Sequence, residues 1–151
     1  MTHVRTQIRD RFKTTLEAAL PGAAYTVFAS RRYARNHTPD LAVVDMRFQN
    51  DQQQAREGFG SERVRIASLY IRVMRSADDE TQLDAALDAD EVLIVEAIEA
   101  ATWSDLLEQD PELLQINFLE DADSGRALGG IVLRYDCEYR IQKGSPETVI
   151  P

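Results

Sequence analysis

The sequence predicts a mixed α/β domain of the α+β kind: a single, mostly antiparallel β-sheet of about five strands with two α-helices packed on one face, in the order αβββαββ. Three observations predict it. Two apolar stripes recur at helical spacing and each needs a cover. Several runs alternate apolar and polar residues with the period of two that strands require. A chain of 151 residues, 44% hydrophobic and 28% charged, suffices for one core. No internal repeat or low-complexity segment alters this count.

Val4, Ile8, Phe12, Leu16 and Leu20 stand at strict four-residue steps, which aligns one face of an opening helix. Arg5, Arg9, Arg11 and Lys13 fall on its polar side, and Pro21-Gly22 supplies the exit turn. Tyr25 to Ala29 and Leu41 to Phe48 read as strands, joined by a basic aromatic connection, Ser30 to Pro39, with Arg31, Arg32, Tyr33, Arg35 and His37. Residues 49–62 (QNDQQQAREGFGSE) hold only one large apolar residue, Phe59, and read as a long flexible loop with Phe59 at its tip.

Arg63 to Arg75 is apolar on both faces and fits a central strand. A second helix runs from about Asp79 to Thr102 on Leu83, Ala86, Leu87, Ile94, Ile98 and Ala101, with Asp90 and Glu91 interrupting the stripe and suggesting a bend. Asp110-Pro111 marks a boundary before a strand at Leu113 to Glu120, in which Leu114, Ile116 and Phe118 form one face. After a turn at Asp121 to Gly125 comes the clearest strand. Ile131, Leu133, Tyr135, Cys137, Tyr139 and Ile141 alternate with Val132, Arg134, Asp136, Glu138 and Arg140. One domain spanning 1–142 is expected, followed by a loose tail at 143–151.

The net charge is −9, and it is segregated: +6 over residues 1–75 and −15 over 76–151. An acidic chain is a poor general binder of DNA, because phosphate repulsion opposes association. Opposite potentials in one chain suit identical subunits that meet positive edge to negative edge. Cys137 stands alone, which excludes an internal disulfide and a cysteine zinc site within the chain, and it reads as a packed thiol. No apolar run reaches the length of a membrane span and Met1 to Asp10 is polar, so a soluble cytoplasmic product without a membrane partner is expected.

Enzymatic constellations are scarce. His3 and His37 lie far apart without a motif, and Gly129-Gly130 lacks the pattern of a phosphate-cradling loop. The densest carboxylate set is Asp84, Asp88 and Glu91 on the second helix, with Asp121 and Asp123 in the late turn. Such a strip can hold a divalent cation, yet an acidic solvated helix face is the simpler reading. The expectation is a protein with no catalytic, cofactor or metal site.

Five segments in order resemble one family. They are the Arg-bearing opening helix, VFASRRYAR (27–35), LAVVDMRF (41–48), QLDAALDADEVLIVEAI (82–98) and ALGGIVLRYDCEYRI (127–141). Together they are similar to the phage tail terminators of the lambda minor tail protein U type, over about residues 4–142. That resemblance implies a mixed α/β domain forming a homohexameric ring at the head-proximal end of the tail tube. The ring stops tube polymerisation and docks the head–tail connector protein. It also implies a virion location after assembly in the host bacterial cytoplasm, with DNA only as cargo passing through. The loop between the second and third strands, Asp51 to Ser61, is similar in place to a segment that becomes ordered on ring assembly in that family, which implies Arg56 and Phe59 as its contacts.

Rings need heterologous contacts, so Arg31, Arg32 and Arg35 are expected opposite Asp84, Asp88 or Glu91 of a neighbour. Two other classes remain open at this point: a head-completion or neck connector protein, and a metal-dependent hydrolase built on Asp84, Asp88 and Asp123.

Overall fold

The apolar stripes of both helices and the alternating strands meet on one side of one sheet. The computed structural model describes residues 2–29, 42–54, 60, 62–121 and 127–150. Its elements are α1 (Val4–Ala19), β1 (Tyr25–Phe28), β2 (Ala42–Gln53), β3 (Glu62–Ala77), α2 (Glu80–Ala100), β4 (Glu112–Asp121), β5 (Ala127–Gln142) and β6 (Ser145–Val149). The strands form one six-stranded sheet in the order β1-β2-β3-β5-β4, with β6 beside β5. β1 runs parallel to β2, and all other pairings are antiparallel.

The four-residue stripe of α1 is fully buried at Val4, Ile8, Phe12 and Leu16. His3 caps this helix, its Nδ1 accepting from the Arg5 amide at 3.1 Å, a role its position near the terminus did not suggest. α2 is capped by Asp79, which accepts from the Gln82 amide at 2.8 Å. Where α2 ends, Trp103 donates from Nε1 to the Ile98 carbonyl at 2.9 Å and lies 4.5 Å from the Phe12 ring, locking the two helices together. The bidentate pair of Arg11 with Asp105 (2.9 and 2.7 Å) ties the turn after α2 to α1.

β5 is the spine of the sheet. It pairs with β3 along its whole length, from Ala127 to Gln142, and carries β4 and β6 on its other margin. Ile131, Leu133, Tyr135, Cys137, Tyr139 and Ile141 are all buried beneath the helices, as alternation predicts. Burial pushes the Cys137 thiol well above the ordinary range, so it is an inert packed group. The helix-free face is mixed: Val43, Val64, Ile66, Tyr70, Met74 and Val132 lie among charged groups that largely neutralise one another. Arg72 pairs with Asp45, Ser68 donates to Asp136 at 2.7 Å, and Arg140 reaches Glu62 (3.3 Å) and Glu108 (2.9 Å).

Three features differ from the expected five-strand plan. The tail read as loose forms β6, a sixth strand reached through Lys143-Gly144, where Gly144 adopts φ +82°, a left-handed value that favours glycine. The Gln-rich run continues β2 to Gln53 instead of opening a loop at Gln49. α2 shows no break at Asp90 but runs unbroken to Ala100.

The reason for that continuity is that Asp90 belongs to the buried stripe. It is 0% exposed. Arg75 at the end of β3 grips both carboxylate oxygens (2.7 and 2.6 Å), and the Tyr25 hydroxyl of β1 donates to it at 2.5 Å. The Arg75 guanidinium also lies 5.6 Å from the Tyr25 ring centroid. A second buried carboxylate, Asp51, owes its position to a bulge between Phe48 and Asn50, which turns it onto the helix side. There it accepts from the Tyr139 hydroxyl at 2.7 Å and meets Arg5 (3.3 Å) and Arg65 (3.7 Å).

Two outcomes follow. A methyl group at Gly130 would sit on the Val73 carbonyl and 2.5 Å from the Met74 sulfur, so Gly130→Ala should lower stability by about 1–3 kcal/mol in denaturant unfolding. Burial, and then the bond to Asp90, push the Tyr25 hydroxyl up to about 12 from its ordinary 10.0. The folded form therefore holds this proton more tightly. The resulting stability is fully present below pH 10 and is lost as the pH rises toward 12. Tyr25→Phe should be less stable at neutral pH by about 1.5–3 kcal/mol. Its stability should also fall less steeply through that alkaline window.

Candidate subunit interface

The burial of Asp90 fixes which way α2 faces. Residues advance by about 100° per position in a helix, so Asp88, two places earlier, points to nearly the opposite side. Leu83, Leu87, Ile94 and Ile98 share the buried side with Asp90, while Asp84 and Asp88, one turn apart, are exposed. They look across a groove toward β4. Glu80 from the first turn of α2 and Glu120 from β4 complete a rim of four carboxylates. Between them the floor is apolar: Leu83, Leu87, Phe118, Leu119, Ala127 and Leu128. The groove encloses about 520 Å³.

Among the described residues, none of these four carboxylates is in an ion pair, whereas Asp45, Asp51, Asp90 and Asp105 all are. Asp84 and Asp88 stand at i,i+4, where like charges oppose the helix by about 0.2–0.5 kcal/mol. No group of three or more His, Cys, Asp or Glu among the described residues is placed to hold a metal ion.

β4 adds the apolar half of the site. Its outer edge has no described neighbour in the sheet. A bulge between Leu113 and Gln115 shifts its register, so the face expected from Leu114, Ile116 and Phe118 does not exist as such. Leu113, Ile116 and Phe118 share the helix side, and Leu114 is the extra residue, 46% exposed. Phe118 is 68% exposed, because α2 does not extend over this margin of the sheet. Burying such a side chain is worth about 1.5–3 kcal/mol, so Phe118 is a costly side chain to leave in water.

Of the residues expected at a subunit contact, the structure brings Asp84 and Asp88 together in the groove. Glu91 is not part of it: it is half-buried on the side of α2 that faces β5, where its charge and that of Glu99 add to the burial that raises the Tyr135 hydroxyl. Arg31, Arg32, Arg35, Arg56 and Phe59 lie outside the described residues, as do His37 and Asp123. Glu80, Phe118, Leu119 and Glu120 escaped the sequence reading. The available signal was a strand, ELLQINFLED, with more large apolar residues than one covered face requires.

The chain matches no family model and no curated protein.

Proposed function

We propose that this protein is a structural virion component, a tail terminator that assembles as a homohexameric ring on the head-proximal end of a phage tail tube. In this reading it stops tube polymerisation, presents the docking surface for the head–tail connector protein and lets DNA pass through its centre. It catalyses no reaction and uses no cofactor or metal. The ordered resemblance of five segments supports the family. The observation that carries self-assembly is the groove between α2 and β4. It has four carboxylates without ion-pair partners among the described residues, around exposed Phe118, in a chain whose other half supplies the positive charge.

The contact is heterologous: the basic segment of one subunit, through Arg31, Arg32 and Arg35, meets Asp84 and Asp88 of the next. Rings close from such contacts when the rotation between neighbours divides a full turn. Arg56 and Phe59 of the segment between β2 and β3 add contacts to the same neighbour or to the tube.

Replacing Arg32 and Arg35 by Glu should abolish rings in native mass spectra and negative-stain images, leaving monomers with unchanged circular dichroism. An unaffected hexamer would remove the basic segment from the interface. In the virus, loss of the gene should give overlong tails without heads. Tails of normal length would favour a neck connector role instead.

A further inference from the structure

The charge segregation of the chain becomes a polarity across the sheet. The sheet order puts β2, with β1 along part of it, toward one margin and β4 at the other. β1 pairs with β2 only from Ala42 to Asp45, so from Met46 to Gln53 β2 itself is the margin among the described residues. Neither α2 nor β4 contains a lysine or an arginine. Glu80, Asp84, Asp88 and Glu120 line the groove between them, and none is in an ion pair among the described residues.

At the β2 margin the sign is opposite. Arg5 and Arg11 mark the two flanks of α1: Arg5 meets Asp51 of β2 at 3.3 Å, and Arg11 meets Asp105 beyond the end of α2 at 2.7 Å. Arg9 follows Arg5 by one turn and therefore lies on the β2 flank. It is half-buried, its Nε has no hydrogen-bond partner, and it is in no ion pair among the described residues. Arg65 also reaches Asp51, at 3.7 Å, so arginines outnumber the one buried carboxylate at this corner.

We infer that the α2–β4 groove is covered by the α1–β2 corner of a second copy of this chain, with Arg9 meeting Asp84 and Asp88. This rests on the ring-assembly reading and adds α1 and β2 to the surface that faces the groove. Charge complementarity selects the occupant. The second copy brings a surplus of guanidinium to a surplus of carboxylate, and arginine stems cover apolar surface such as Phe118 while their heads reach a charged rim. Two β4 margins would press carboxylates together, and two β2 margins would press arginines together. The patches lie toward opposite margins, so the contact is head-to-tail. Both are on the helix side of the sheet, so the helix layers of neighbours adjoin. They are staggered along the strands: Arg5 meets the row Asp51–Ala67–Cys137, and the groove borders the row Glu120–Gly129–Arg75. Neighbours in a closed ring have no rise between them, so the strands stand inclined to the ring axis.

Charge reversal in two partners tests this. Arg9→Glu should raise the protein concentration needed for half-assembly by about tenfold or more in native mass spectra, with the circular dichroism of wild type. Arg9→Gln, which adds no negative charge to α1, should shift it in the same direction by less. Protein with Asp84→Lys and Asp88→Lys should fail to assemble alone, and mixing it with Arg9→Glu protein should restore rings in which the two alternate. Arg9→Glu and Arg9→Gln proteins that assemble as wild type does would overturn the inference while leaving ring assembly intact. So would a mixture that stays monomeric where wild type forms rings. Wild-type protein that stays monomeric both free and with tail tubes would overturn both.

Discussion

A carboxylate placed at the centre of an apolar helix stripe has to be answered by charge, and Asp90 sets the terms for the rest of the molecule. Arg75 and Tyr25 supply the answer from two different strands, so one ion pair and one hydrogen bond to the same carboxylate join α2 to β3 and β1. Leaving such a charge without its partner costs about 3–5 kcal/mol, enough to make the arrangement unique. The orientation of α2 follows from it, and with that orientation the outward direction of Asp84 and Asp88. The attachment of β1 at the sheet margin follows as well, because Tyr25 is the first residue of that strand.

The charge segregation of the sequence takes on a divided meaning in three dimensions. Part of it is spent inside the chain. Arg11 of the basic half pairs with Asp105 of the acidic half, and Arg75 pairs with Asp90. Within the basic half, Arg5 and Arg65 converge on Asp51, and Arg72 holds Asp45. The described arginines are thus largely occupied, while the acidic rim of the α2–β4 groove has no ion pair among the described residues. In the proposed assembly, attraction between subunits would depend on Arg9 and on the arginines that follow β1 in the sequence, and the charged groups of the helix-free sheet face are largely neutralised by their own pairs.

Much of this was legible in the sequence because burial on one face forces a period. The four-residue steps of α1 and the alternation of β5 admit one reading each. What the period could not show were the places where it slips. A bulge at Gln49 turns Asp51 inward, and one at Leu114 turns an apolar side chain outward; neither carries a sequence mark, since a bulge is one extra residue in an otherwise regular strand. β6 was missed because five residues containing Pro146 make a weak strand signal, and its pairing depends on the Gly144 turn. Asp90 was read as an interruption because its partner Arg75 stands in another element. For the site, Asp84 and Asp88 were readable from helical spacing. Phe118 was not, because its exposure depends on how far α2 extends across the sheet.

The central claim is that subunits meet head-to-tail, basic segment to acidic groove, and complementation of charge reversals tests it most directly. Protein with Asp84→Lys and Asp88→Lys would be mixed with protein carrying Arg31→Glu, Arg32→Glu and Arg35→Glu, and native mass spectrometry would count the subunits. The account predicts that each variant alone stays monomeric and that the mixture restores rings in which the two alternate. Variants that assemble alone as wild type does, or a mixture that stays monomeric while wild type forms rings, would contradict it.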